Sequence, residues 1–183
     1  LPVARRPESM ELCFAGEGNY RTALTGEPRK GPILNATGEV IGEHEGIVNY
    51  TVGQRKGLRI AAGKPLYVLR VDAECNSITV GTWAEALRRE VRAGIINVLV
   101  PDELQPGRHL YGKIRSQGEA SACTVTDARV DAFAVEFDKP QFAPAPGQRL
   151  VVYNEDEYVV AGGTIMPVRP DLQSGTVGQP GDL

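Results

Sequence analysis

A thiol and a basic loop are the two places in this sequence where residue type and spacing could do chemistry. Cys13 lies in a short apolar island, Leu12-Cys13-Phe14, set between Glu8 and Glu11 on one side and Gly16 and Gly18 on the other. A cysteine on a glycine-flanked segment can reach solvent, and an accessible thiol with a lowered pKa is a nucleophile. A structural cysteine is normally buried within a longer apolar run and inert. From the residues alone two readings stay open, a reactive thiol and a small hydrophobe in a partly packed segment.

The second place is the run from Ile41-Gly42-Glu43-His44-Glu45-Gly46 through Tyr50-Thr51-Val52-Gly53-Gln54-Arg55-Lys56-Gly57-Leu58. Its glycines permit sharp turns and close approach of a ligand, and Gln54, Arg55 and Lys56 offer amide and cationic donors suited to phosphate oxygens. It is neither a Walker loop nor a GxGxxG fingerprint. As residues, it is either an anion-binding loop or a solvated basic turn joining two strands. His44 between Glu43 and Glu45 invites a metal reading, but a metal needs three or four converging ligands. The only other histidine, His109, falls in a different part of the chain, so His44 is expected to be hydrogen-bonded in a turn and the chain to hold no metal site.

The elements that must carry these residues belong to an ordinary globular protein of 183 residues, 42% hydrophobic and 23% charged, with net charge -3. No apolar run approaches membrane-spanning length, so no membrane partner is expected. Three cysteines at 13, 75 and 123 form neither a disulfide framework nor a metal clip, which fits a reducing, cytoplasmic setting. The first 92 residues carry 13 Lys and Arg against 11 Asp and Glu, and the remainder carries 7 against 12. An anionic partner should therefore prefer the first half. The chain begins at Leu1 without the pattern of a signal peptide, and is expected to be a piece of something longer.

Glycine and proline punctuation predicts a mainly β protein with short helices only. Residues 1–30 are a connector carrying Cys13, with a weak helix over Glu17–Leu24. Residues 31–91 form a small β-rich central domain: a hairpin of Pro32–Leu34 and Glu39–Ile41 about Thr37-Gly38, a β-like run Ile47–Val52, the loop Gly53–Gly57, and strands Leu66–Asp72 and Ser77–Gly81. Leu66–Asp72 is apolar on both faces and is expected to be buried on both sides. Ala84–Arg89 reads as a helical turn or two. Residues 92–166 offer six strands: Arg92–Val98, His109–Ile114, Ala120–Asp127, Arg129–Phe137, Arg149–Tyr153 and Tyr158–Ile165. Their even spacing, with Pro140 among the separators, favours a six-stranded β-barrel. Residues 167–183 are rich in Pro, Gly, Ser and Gln and read as a flexible tail.

Several of these motifs occur together in one known order. Glu8-Ser9 with Cys13-Phe14, Gly31-Pro32-Ile33, Gly42-Glu43-His44 with Gly46, the Tyr50–Leu58 run, Lys113-Ile114-Arg115, Pro140-Gln141, Pro146-Gly147-Gln148 and Gly162-Gly163 together resemble the tRNA-specific 2-thiouridylase family over residues 1–166. The resemblance implies a barrel like those of translation factors, following a central domain and preceded by an N-terminal adenylating domain that this chain lacks. It implies that ATP, with Mg, adenylates the C2 oxygen of the tRNA wobble uridine at a site outside this chain, and that a cysteine persulfide then delivers sulfur to C2.

Cys13 matches the ESxxxCF-like context of that cysteine and is by resemblance the persulfide carrier. Met10-Glu11 stand where the family has Gln-Asp, and Leu12 where Ile is usual. The resemblance assigns Gln54, Arg55 and Lys56 to tRNA contact, with Lys113 and Arg115 as barrel-side candidates. It implies tRNA and a sulfur-donor protein as partners. The SGGxDS-type loop, the catalytic acid and the second cysteine are absent, and Cys75 and Cys123 read as packing residues, so this chain alone should neither adenylate nor thiolate. The alternatives are a non-catalytic RNA-binding or protein-interaction barrel, or a translation-factor-like barrel that binds a protein.

Overall fold

A computed structural model describes residues 29–60, 62–116 and 118–167. Cys13, the Glu17–Leu24 helix and the tail beyond Pro167 lie outside the described residues. The chain divides into two compact units at Leu87 and Arg88. Both are built of β-strands, as the punctuation predicts.

The first unit is a four-stranded sheet ordered β2-β1-β4-β3, with β1 Gly31–Leu34, β2 Val40–His44, β3 Tyr67–Asp72 and β4 Ser77–Gly81. The hairpin of β1 and β2 turns on Asn35, whose side-chain oxygen accepts from the amides of Thr37 and Glu39. Strand β1 runs parallel to β4, bringing Ile33 beside Ile78. Ile33, Val68, Ile78 and Val80 are buried as the core of this unit, joined by Leu58 from the basic loop.

Four expectations before the barrel are corrected by the structure. Ile47–Val52 is not a strand, because Gly46 at φ 128° bends the chain into a 3-10 turn over Ile47–Asn49, whose closing amides at Asn49 and Tyr50 bond back to Gly46 and Ile47. Strand β3 is not buried on both sides. It pairs with β4 alone within the sheet, and only Val68 is fully buried, while the exposed Arg70 side chain pairs with Asp72. The expected Ala84–Arg89 helix is a single turn, Trp83–Ala86, closed by a reciprocal cap between Thr82 and Glu85. Leu87 already has extended geometry, since strand pairing in the barrel outweighs local helix preference. Cys75 is exposed in the β3–β4 turn and packs no core.

The second unit is a closed barrel ordered β10-β5-β8-β7-β6-β9, with β5 Leu87–Val98, β6 His109–Lys113, β7 Ser121–Ala128, β8 Ala132–Phe142, β9 Arg149–Tyr153 and β10 Val159–Ile165. Closure leaves no open sheet edge. Alternate residues fill the interior: Leu110, Cys123, Val125, Phe133, Val135, Phe137, Leu150, Val152 and Val160. Gly112 is small for a reason, because a Cβ there would sit 2.7 Å from the Phe137 ring. A Cβ at Gly163 would lie 2.8 Å from Ile96 and 2.9 Å from Ala93, so in the Gly162-Gly163 motif the second glycine is required by packing. Strand β8 continues through Pro140, expected to be a separator. On the β7 side the register ends at Phe137, so Pro140 owes no ladder bond to that neighbour.

Candidate nucleic-acid interface

The basic loop is placed by a buried histidine. His44 is fully buried at the end of β2. Its Nδ1 accepts from the Gly46 amide at 3.0 Å, which fixes the proton on Nε2, and Nε2–H donates to the Asn76 carbonyl at 3.0 Å. The Asn76 side chain in turn donates to the Lys30 carbonyl at 2.8 Å. A Cβ on Gly31 would fall 2.0 Å from the Asn76 carbonyl oxygen and 2.8 Å from Nε2, so glycine is required where β1 enters this knot. The Tyr50 ring packs edge-on to His44, centroids 5.8 Å apart. The motif Gly42-Glu43-His44 with Gly46 therefore anchors the start of the loop by hydrogen bonds at both ring nitrogens.

Past Tyr50 the chain lies along the outer edge of β3. The Gly53 amide donates to the Val68 carbonyl at 2.8 Å, and the Val68 amide donates to the Gln54 carbonyl at 2.9 Å. The loop thus covers an edge that would otherwise present unpaired backbone groups. Gln54 is engaged at both ends of its side chain. Its oxygen accepts from the Thr51 amide at 3.0 Å and its NH₂ donates to the Lys56 carbonyl at 2.9 Å. Gly53 and Gly57, at φ 88° and 82°, take the left-handed turns that this internal bracing requires. Leu58 then drops into the core. Arg55 and Lys56 are left exposed at the tip.

The charge around that tip is one-sided. In this unit Lys30 pairs with Glu43 and Glu45, and Arg70 with Asp72. The hydrogen bond to Glu45, with the charges of both glutamates, holds the Lys30 pKa above its ordinary value. The amide of Cys75, with Arg70 and the Glu74 amide, holds the Asp72 carboxyl below the usual range. Arg55, Lys56 and Arg59 enter no ion pair among the described residues. Arg59 and Lys64 were not singled out in the sequence, although Arg59 is three residues beyond Lys56 in the same run.

Lys113 and Arg115 stand together in the barrel unit, apart from the loop in sequence. Lys113 ends β6, facing Val151 of β9. Arg115 donates to the carbonyls of Phe142 at 3.0 Å and Ala143 at 3.3 Å, and its guanidinium lies 5.7 Å from the centre of the Phe142 ring. Cys123 is buried in β7, and burial, reinforced by the Asp138 charge, pushes its thiol up to about 12, so it is protonated and inert at neutral pH. No group of three or more metal-ligating side chains converges among the described residues, and no helix among them is long and apolar enough to cross a membrane.

A four-stranded sheet bearing an anchored cationic loop and a closed six-stranded barrel are the two units of this β protein. Residues 23–82 match the family model described as a tRNA methyl transferase PRC-barrel domain, and residues 88–165 match the aminomethyltransferase beta-barrel domain. The chain is 41% identical over 172 residues to the tRNA-specific 2-thiouridylase MnmA of Moorella thermoacetica, covering 92% of this chain and 48% of that protein. The protein of the same name from Symbiobacterium thermophilum is 40% identical over 167 residues, 89% of this chain and 43% of the relative. That of Lachnoclostridium phytofermentans is 38% identical over 170 residues, 91% and 47%. The chain belongs to the tRNA-specific 2-thiouridylase family, and corresponds to its central and C-terminal domains. It spans about half the length of the curated relatives it matches.

Proposed function

We propose that this chain is the tRNA-docking and sulfur-carrying portion of a tRNA 2-thiouridylase. The observation that supports this reading is the likeness, over nine-tenths of the chain, to proteins bearing that name. Arg55 and Lys56 contact tRNA phosphates, while Gln54 holds the loop that presents them. Lys113 extends the contact on the barrel, and Arg115 braces the Phe142–Ala143 backbone beside it. Cys13 carries the persulfide. Its terminal sulfur attacks C2 of a wobble uridine already adenylated on oxygen, the C2–O bond breaks, and AMP leaves with the electron pair; the thiolate of a second cysteine, outside this chain, then attacks Cys13 Sγ and breaks the S–S bond, leaving the sulfur on C2 and a disulfide between the two cysteines.

No stretch of the 183 residues has the SGGxDS pattern of an ATP-pyrophosphatase loop, so adenylation with ATP and Mg belongs to a further domain, and sulfur reaches Cys13 from a donor protein. The test is a nucleoside digest of tRNA after incubation with ATP and a persulfide donor. The full-length protein should yield 2-thiouridine and the 183-residue chain none. Thiolation by the isolated chain, or none by the full-length protein, would contradict the proposal.

A further inference from the structure

The cations at the loop tip line a concave surface. Arg55, Arg59 and Lys64 surround a shallow cleft of about 470 Å³ whose floor is Leu58, Ile60, Pro65 and Leu66. Among the described residues of the first unit, Arg29 aside, every cation outside this stretch is in an ion pair, and the other four all fall between 55 and 64. No acidic side chain lines the cleft. Hydrogen bonds from the Thr82 hydroxyl and amide, with the Lys64 charge as a smaller cause, hold the Glu85 carboxyl below the usual range.

Arg59 supplies an independent observation. Its backbone lies in the left-handed region at φ 53°, which an ordinary side chain disfavours. That geometry sets the Arg59 side chain on the wall of the cleft, in the same run as the left-handed glycines at 53 and 57.

We infer that Arg55, Arg59 and Lys64 form a phosphate-binding cleft that receives consecutive phosphates of an RNA strand, with the sugar lying over Ile60 and Leu66. This rests on the proposed docking of tRNA at the loop and adds Arg59 and Lys64 to it. Three cations over an apolar floor suit a sugar–phosphate segment, because the guanidinium forks take phosphate oxygens while the floor excludes water. An acidic protein segment is the rival occupant.

The test is tRNA binding by the 183-residue chain as a function of salt, for wild type, R55A/K56A and R59A/K64A, with circular dichroism to confirm folding. R59Q/K64Q, which keeps the packing stems, guards against loss of structure. The cleft predicts that R59A/K64A and R59Q/K64Q each lower the salt slope by about one to two units. Unchanged slope and affinity in these variants overturn the cleft and leave its cations to a protein partner. If R55A/K56A still weakens binding, the loop reading survives that result. If it does not, both readings fall.

Discussion

His44 Nε2 donates to the Asn76 carbonyl at 3.0 Å, so one buried ring ties the end of β2 to the turn between β3 and β4. The other ring nitrogen holds the Gly46 amide, from which the basic loop departs. His44→Ala leaves a buried donor and acceptor unmatched and a cavity beside Tyr50. Urea unfolding followed by the fluorescence of Trp83, the only tryptophan, should show a loss of about 2–4 kcal/mol. A loss below about half a kcal/mol would mean that the ring does not anchor the loop.

Gln54 and its neighbours Arg55 and Lys56 should separate in binding experiments. Gln54→Ala removes the brace to Thr51 and Lys56 but no charge, so tRNA affinity should fall while its salt slope stays unchanged. Arg55→Ala with Lys56→Ala should lower both affinity and slope, the latter by about one to two units. A slope change in the Gln54 variant would show that its amide acts on the ligand rather than on the loop.

Gly112 makes room for Phe137 across the barrel interior. Gly112→Ala should destabilise the barrel by about 1–3 kcal/mol through overpacking. Shortening the ring in a Gly112→Ala, Phe137→Leu double variant should recover part of that loss. Strict additivity of the two changes would show that the contact is not the cause.

The Cys123 thiol gives a pH signature. Its folded pKa is raised to about 12 from an ordinary 9.0 by burial first and Asp138 second. The protonated thiol therefore contributes stability below pH 9, which is lost as pH rises through 9 toward 12 because the unfolded chain ionises first. Cys123→Ala should flatten the alkaline fall in stability over that window. In the native chain at neutral pH, iodoacetamide should modify exposed Cys75 and spare Cys123. Equal labelling of the two would contradict the burial.

Much of the fold was legible because its cues are local. Thr37-Gly38 marked the first hairpin, and short strands at even spacing with Gly/Pro punctuation marked the barrel. The misread segments depended on long-range pairing. Leu66–Asp72 is apolar enough for a central strand, yet its second neighbour is the loop bond between Gln54 and Val68. Leu87 and Arg88 favour helix locally, yet β5 needs them. In the candidate site, Arg55 and Lys56 stood out by composition. The internal bonding of Gln54 and the left-handed Arg59 depend on backbone geometry that no spacing shows.

The central claim is that Cys13 carries sulfur. Mass spectrometry of peptides from the full-length protein, after incubation with a persulfide donor, tests it most directly when native protein is compared with Cys13→Ser. The account predicts one added sulfur on the Cys13 peptide, and its absence from the variant. Persulfide retained elsewhere in this chain in Cys13→Ser, with none on the native Cys13 peptide, would contradict it.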